Sequence, residues 1–591
     1  MTEQISEQAQ KNFNNWIQDS SVSQPDKDQI QSLKTKNDII EINDSFGKDL
    51  AFGTGGMRAV MGLGSNRMNG YNVKKASQAL ATAILTSFPK TKEPKISVSF
   101  DCRHHSQDFA QKVCEVMAGN GIQSFIFKEL TPTPMLSYAI RQLEAQGGVM
   151  ITASHNPPKY NGYKAYWADG AQVTPPNDQK IIDNFGKINS FAEVKSIEFE
   201  EAIKKGLIKY ISDELITNYD NMIKRFCLEP QTCLNQGHQV SIIYTPLHGT
   251  GKVPCERVSK ALGFSRFQVF EPQASFDGNF PTVKSPNPED AEAMDSSVKE
   301  MLATNADAAY GTDPDCDRLG VVVNHQGQAI YLNGNQISLL MLDYIIKSKK
   351  QTSTFPNNPL VIKSIVTSKL IDQICKHHEI NLIETLTGFK WMAKELYDLD
   401  EKNESYDYLF ASEESFGFMP SAEVRDKDGV HAVALMNEII LHHKLKGRTL
   451  IHGLDLIYEK YGFCEESLIA KTFEGNAGTD KINRIMNFFR EGQVDQISNI
   501  KFAITFDFDS LIETDLASKK VSEINMTSSN VLGFRMENGD YIYLRPSGTE
   551  PKIKFYLMTN ETEGTLENRK ISTKNRIKSY TAEIEEIIAK I

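Results

Sequence analysis

Two short segments of this 591-residue chain hold side chains whose types and spacing can do chemistry. The first is Thr312-Asp313-Pro314-Asp315-Cys316-Asp317-Arg318, three carboxylates at i, i+2 and i+4. On extended backbone they project to one side. Held that close, like charges repel and raise one another's pKa unless a cation neutralises them. All-oxygen ligation points to a hard ion, Mg²⁺ first, with Mn²⁺ or Ca²⁺ behind it. An EF-hand would need Gly at the sixth loop position and Glu at the twelfth, where this chain has Arg318 and Asn324. The second segment is Thr152-Ala153-Ser154-His155-Asn156-Pro157, followed by Asn161-Gly162-Tyr163-Lys164. A serine hydroxyl is a poor nucleophile without a base, a metal or a phosphate already mounted on it, and His155, Asn161 and Lys164 stand near Ser154 in sequence. By residue type alone, the segment reads as a strand-exit turn.

The elements that must position these groups follow from the flanking pattern. Val149–Ile151 is a β-branched, apolar run that reads as the end of a buried strand, and Asn156-Pro157-Pro158 forbids helix after it. Ala306–Gly311 delivers the acidic loop in the same way. Lys95–Phe100 followed by a helix over Asp108–Ala118, with Ser106 as its N-cap, repeats the strand–loop–helix order. That alternation predicts an α/β fold with mixed or largely parallel sheets, displaying its chemistry on loops at strand ends. Before residue 45 the chain is polar with scattered apolar residues, which predicts one or two amphipathic helices. The Pro272–Pro288 stretch predicts a long loop without chemistry.

Other loops carry recognition groups. Phe52-Gly-Thr-Gly-Gly-Met-Arg58 could bring backbone N–H groups and a guanidinium to an anion, but Arg58 stands where a dinucleotide fingerprint needs Gly. Gly249–Lys252 fails as a Walker loop because Pro246 and Val253 occupy its required positions, so it reads as tight-turn scaffolding. Leu386-Thr387-Gly388-Phe389-Lys390-Trp391 offers an ammonium and aromatic faces able to orient a sugar phosphate. Glu413 and Ser415 follow an apolar strand, suited to vicinal hydroxyls. Arg545-Pro-Ser547-Gly548-Thr549-Glu-Pro-Lys552 gathers a guanidinium, two hydroxyls, backbone donors and an ammonium, which suit a dianionic phosphate.

These strings, in this order from residue 53 to residue 552, resemble the active-site loops of the α-D-phosphohexomutases. The resemblance implies three related mixed α/β domains plus a C-terminal α+β domain like the TATA-box-binding protein, around a central cleft. The corresponding division is 1–210, 211–328, 329–458 and 459–591. It further implies that Ser154 carries the transferable phosphoryl group. Asp313, Asp315 and Asp317 would bind one Mg²⁺ together with an oxygen of that phosphoserine. Lys164 and Lys427 would be proton-transfer candidates beside His155, with Arg58 on phosphate and Arg318 neutralising charge. Thr387, Gly388, Lys390, Glu413 and Ser415 would bind the sugar, and Arg545, Ser547, Gly548, Thr549 and Lys552 the distal phosphate. Family loops often carry Gly where this chain has Pro314 and Cys316, and Ser412 also departs from the usual Gly. The implied activity interconverts glucose 1-phosphate and glucose 6-phosphate through glucose 1,6-bisphosphate. Phosphopentomutase, phosphomannomutase and a metal-dependent sugar-phosphate phosphatase are the alternatives.

Composition is consistent with that. A net charge of −11 disfavours a general nucleic-acid surface. No run approaches the ~18 apolar residues of a membrane span and no signal-peptide pattern opens the chain, so a soluble, cytoplasmic monomer or homodimer acting on small sugar phosphates is expected. Eight cysteines form no Cys-x-x-Cys pair, so neither a zinc motif nor a dithiol motif is read from spacing.

Overall fold

The computed structural model describes residues 4–53, 55–473, 475–547 and 552–591. The chain forms two compact units. The first comprises Met1–Gly334, Phe389–Ala411 and Ser415–Thr449, and the second Asn335–Gly388, Ser412–Glu414 and Leu450–Ile591.

In the first unit, a six-stranded sheet runs in the order Gly56–Val60, Tyr160–Trp167, Gly147–Ile151, Lys95–Phe100, Gln123–Ile126, Ile208–Tyr210. The last four are mutually parallel, while Tyr160–Trp167 returns antiparallel to Gly147–Ile151, with Met150 opposite Lys164. Gly147–Ile151 is buried throughout, as expected of a strand covered on both faces. A second sheet repeats the plan in the order Gln328–Leu332, Leu319–His325, Ala308–Thr312, Ser241–Thr245, Arg266–Val269, with a parallel core and an antiparallel return after the acidic loop. In both sheets a reactive loop therefore joins a buried central strand to its antiparallel neighbour. Such a loop is held at both ends by strand hydrogen bonds, so its side chains are positioned by the sheet.

Helix boundaries follow local chemistry. Asp213–Arg225 starts at Ser212, whose hydroxyl accepts from the Leu215 N–H, with Asp213 and Glu214 in the first turn and Lys224 and Arg225 in the last. The helix after Lys95–Phe100 spans Ser106–Gly119, with His105 at the cap position in left-handed backbone. Ser106 is thus not the N-cap. Its hydroxyl donates to Asp101 Oδ1 at 2.7 Å instead, because the buried carboxylate requires partners. Three helices, Glu7–Gln18, Gln24–Thr35 and Ile39–Phe46, occupy the N-terminal region where one or two were expected, packed on a core of Phe13, Trp16, Ile30, Ile42 and Phe46.

In the second unit, Pro359–Ser364 and Asn381–Thr385 pair in parallel. The C-terminal part is an antiparallel sheet ordered Phe463–Thr472, Lys552–Glu561, Tyr541–Pro546, Leu532–Met536, Ile500–Asp507, Ile512–Asp515, Val521–Glu523. Its core takes Ile485, Phe489, Phe534 and Phe555 together with Tyr580 and Ile584 of the helix Leu566–Lys590. Among the described residues, no helix is long and apolar enough to cross a membrane.

Candidate active site

The first unit brings Ser154 onto the acidic loop. Ser154 follows the strand Gly147–Ile151 with φ at +50°, and its N–H donates to Thr152 Oγ1 at 2.8 Å. That turn aims its hydroxyl at Asp313 Oδ2, to which it donates at 2.6 Å. His155 Nδ1 stands 3.2 Å from the same hydroxyl oxygen. Burial, then the Arg318 and Arg58 charges, press the imidazole well below its ordinary pKa, so it is neutral near pH 7. A neutral imidazole beside a hydroxyl can take a proton.

The acidic loop is itself tied down. Asp313 Oδ1 accepts the N–H groups of Asp317 and Arg318, each at 3.1 Å, closing a turn that needs Cys316 at φ +51°. A non-glycine residue in left-handed backbone costs about 1–2 kcal/mol, so the turn is held by its surroundings. Thr250 donates to the Pro314 carbonyl through both N–H at 2.8 Å and hydroxyl at 2.9 Å, and a Cβ on Gly249 would fall 2.7 Å from that carbonyl oxygen. The Gly249–Lys252 turn is thus the seat of the acidic loop, consistent with its reading as scaffolding.

Asp315 and Asp317 are buried and share Lys164. Its ammonium donates to Asp315 Oδ2 at 2.7 Å and to Asp317 Oδ2 at 3.1 Å, while Lys427 pairs with Asp317 Oδ2 at 3.2 Å. Thr133 Oγ1 also donates to Asp315 Oδ2, at 2.9 Å. Burial opposes every charge here, and the partners decide the outcome. Burial, then the Asp317 and Asp315 charges, drive the Asp313 carboxyl well above the usual range. Burial also presses on Asp317, but Lys164, Lys427 and Arg318 hold it below. Lys164 is disfavoured by burial, yet Asp315 and Asp317 raise it above an ordinary lysine, so it is cationic.

The triad fits a hard cation. One carboxylate oxygen from each aspartate can lie within 4.8 Å of the others. The buried Oδ1 atoms of Asp315 and Asp317 accept no hydrogen bond among the described residues, so each aspartate keeps an acceptor oxygen for an ion.

Several residues that spacing did not single out hold this arrangement. Arg103, fully buried, donates to the carbonyls of Ser154 at 2.6 Å, Pro157 and Tyr160 at 3.0 Å each, and Asn156, with Asp101 3.4 Å from its Nε. Ser285, in the Pro-rich loop read as free of chemistry, donates to the His155 carbonyl at 2.7 Å. Glu289 pairs with Arg318. Asp426 accepts from Tyr166 at 2.7 Å and Gln172 at 3.1 Å beside Lys427. Most of these contacts end on backbone carbonyls or on residues over a hundred positions away, which leave no local pattern. Arg58, an exposed residue, reaches the same loop by donating to Asn156 Oδ1 at 2.9 Å.

The other candidates divide between the units. Lys390 and Ser415 belong to the first, with the Lys390 ammonium 4.8 Å above the Trp391 ring. Thr387, Gly388 and Glu413 belong to the second, where the Gly388 N–H donates to Glu413 Oε1. Arg545 lies on Tyr541–Pro546, and the Ser547 N–H donates to the Lys552 carbonyl at 2.7 Å, forming the neck of a hairpin. Gly548 and Thr549 lie outside the described residues.

A serine hydroxyl hydrogen-bonded to a buried carboxylate triad and flanked by two ammonium groups is the equipment of a metal-assisted phosphotransferase. Comparison with known proteins gives the family. Residues 49–191, 218–327 and 333–461 match the phosphoglucomutase/phosphomannomutase α/β/α domains I, II and III. A phosphoglucomutase from Staphylococcus aureus is 36% identical over 522 residues, covering 88% of this chain and 91% of that protein. One from Staphylococcus epidermidis is 35% identical over 548 residues, covering 92% and 96%. Among solved structures, the open form of the Paramecium phosphoglucomutase parafusin superposes with a TM-score of 0.66 at 20% identity, covering 90% of this chain and 93% of that one. A phosphoglucomutase/phosphomannomutase family protein from Burkholderia thailandensis gives 0.64 at 15%, covering 92% and 98%. The chain belongs to the phosphoglucomutase/phosphomannomutase family. It is an enzyme, a phosphotransferase of the isomerase class, with three α/β/α domains and a strand-rich C-terminal domain.

Proposed function

We propose that this enzyme is a phosphoglucomutase that interconverts glucose 1-phosphate and glucose 6-phosphate through a phosphoserine at Ser154 and a glucose 1,6-bisphosphate intermediate. The observation that carries the reading is the 2.6 Å hydrogen bond from Ser154 to the aspartate triad, in a chain about 35% identical to phosphoglucomutases along most of its length. Asp313, Asp315 and Asp317, with an oxygen of phosphorylated Ser154, would hold one Mg²⁺. Bound there, the ion would offset the crowded negative charge and polarise the phosphoryl oxygens.

The chain's own residues do the rest. In the first half-reaction, the bond between phosphorus and Ser154 Oγ breaks as a sugar hydroxyl oxygen bonds to phosphorus. The hydroxyl proton leaves to a base of the site, and Ser154 Oγ takes one back as its phosphate departs. The neutral His155 beside Ser154 is suited to accept, and cationic Lys164 and Lys427 are suited to donate and to offset charge on the phosphoryl oxygens. Because the transition state is loose and metaphosphate-like, positioning and charge neutralisation supply most of the rate. In the second half-reaction, the bisphosphate returns its other phosphate to Ser154. Arg58 and Arg318 would serve the transferring phosphate. Arg545, Ser547, Gly548, Thr549 and Lys552 would hold the one that stays, and Thr387, Gly388, Lys390, Glu413 and Ser415 the sugar hydroxyls. The working divisions are 1–210, 211–328, 329–458 and 459–591, in a soluble cytoplasmic monomer or homodimer.

A dehydrogenase-coupled assay with Mg²⁺ and a trace of glucose 1,6-bisphosphate tests this, comparing glucose 1-phosphate with ribose 1-phosphate for the native protein and Ser154→Ala. Conversion of the glucose ester that disappears in the variant supports the reading. Preference for the pentose ester would move the substrate class, and release of free phosphate without isomerisation would overturn the mutase assignment.

A further inference from the structure

The fold brings together two cysteines that sequence spacing kept apart from any metal motif. Cys227 lies just beyond the helix Asp213–Arg225, and Cys233 sits in the next helix, Pro230–Gln236. Their sulfur atoms are 3.9 Å apart. The helix Gly429–Lys444 places the buried Glu438 against both, so that two sulfurs and a carboxylate oxygen all lie within 4.8 Å of one another. Among the described residues, only this cluster and the aspartate triad gather three such donors.

We propose that Cys227, Cys233 and Glu438 form a second metal site, separate from the aspartate triad and selective for a thiophilic divalent ion, Zn²⁺. The donor set is opposite in kind to the triad. Two thiolates favour zinc, whereas three carboxylates favour magnesium. The spacing suits the ion as well. With Zn–S bonds of about 2.3 Å in tetrahedral geometry, two sulfurs stand about 3.8 Å apart, against 3.9 Å here. The carboxylate is oriented by the chain itself, since Glu438 Oε2 accepts the N–H groups of Leu228 at 2.9 Å and Glu229 at 3.3 Å. Outer-shell hydrogen bonds of that kind fix a metal-ligating carboxylate. Cys227 is half-buried while Cys233 is buried, which gives the ion a path in from solvent.

A second close thiol pair marks what is particular here. Cys255 and Cys316 lie 3.8 Å apart, but both are buried and no third His, Cys, Asp or Glu of the described residues completes a donor set with them. At Cys227 and Cys233, binding replaces two S–H bonds with two Zn–S bonds, adds one Zn–O bond to Glu438, and releases both thiol protons. The fourth position falls to water. The ion would clip the 226–236 segment to the helix Gly429–Lys444, which begins one residue after the Lys427–Asp428 turn.

Titration of the full-length protein with Co²⁺, under a phosphine reductant, tests this by absorbance. Thiolate-to-cobalt charge transfer arises only from sulfur ligands, so the oxygen-only triad is silent. One equivalent of Co²⁺ should produce the near-ultraviolet band with release of two protons, and stoichiometric Zn²⁺ should abolish the band with no further proton release. Cys227→Ser and Cys233→Ser should lose the band. Glu438→Gln should weaken binding at least about tenfold, the loss that even outer-shell changes cause. Mutase turnover should persist in the two serine variants, which also reports that they fold. Absence of the band in the native protein, or its persistence in either serine variant, overturns the proposal.

Discussion

Replacing Arg103 should disable the site although its guanidinium is aimed at backbone rather than at Ser154 Oγ. Its donors bind the carbonyls of Ser154, Asn156, Pro157 and Tyr160, and its plane lies 4.9 Å from the Phe280 ring centre. The Ser154 loop thus owes its shape to one buried cation. A hydrogen bond to a charged group contributes about 1.5–3 kcal/mol. Four such bonds do not add fully, because water enters a truncated site, and Asp101 also loses its buried partner. Breaking one partner of a buried pair costs about 3–5 kcal/mol, and Arg103→Ala should destabilise the fold by that amount. The protein should survive folded, since native stability is typically about 5–15 kcal/mol. With its carbonyls released, the loop relaxes from its left-handed turn and Ser154 Oγ moves off Asp313. Displacement of a reacting group by about 1 Å costs about 100-fold in rate, so kcat should fall by that factor while KM changes little. Arg103→Lys keeps the charge but reaches fewer carbonyls, and should fall between. The coupled mutase assay with denaturant unfolding of the same samples reads both effects. If Arg103→Ala retained kcat within about twofold of the native enzyme, a difference of about 0.4 kcal/mol, with an unchanged unfolding curve, the clamp would be refuted.

Three further perturbations have defined outcomes. Saturating Mg²⁺ at about 100 times its Kd should stabilise the native protein by about 2.7 kcal/mol in thermal unfolding, and Asp315→Asn should abolish that shift. A Cβ on Gly417 would fall 2.7 Å from Phe389 Cε2 and closer still to the Lys427 side chain, so Gly417→Ala should displace Lys427 from Asp317 and lower kcat about tenfold or more without loss of folding. Burial, assisted by the Glu465 charge, holds the Glu466 carboxyl up at about 7, against 4.5 when unfolded. A raised acid favours the folded state while protonated, so its contribution is complete below pH 4.5 and is lost as pH rises toward 7. Thermal unfolding at pH 5 and pH 7.5 should show that decline, and Glu466→Gln should reduce it by about 2–3 kcal/mol. An equal slope in the variant would exclude Glu466 as the cause.

What could be foreseen from the residues divides along a physical line. Ser154 and the aspartate triad were legible because each sits in a contiguous string at a strand end, the triad readable from its spacing and Ser154 from the family resemblance of its loop. The strand ends before Ser154 and Asp313 come from sequence neighbours, and the alternation of the three carboxylates needs only extended backbone. Arg103 was illegible for the converse reason. Its partners are peptide carbonyls 51 to 57 positions away, and every residue type offers the same carbonyl. The same holds for Cys227 and Cys233, which are six positions apart but more than 200 positions from the Glu438 that completes their donor set. Cys316 shows how an apparent departure is absorbed. It occupies left-handed backbone where glycine would be easiest, and the hydrogen bonds from Asp317 and Arg318 to Asp313 hold the turn regardless. A loop supported at that many points can accept a residue that its backbone disfavours. Site residues should therefore be sought wherever a buried charge ends on backbone, as Arg103 does, as well as in motifs.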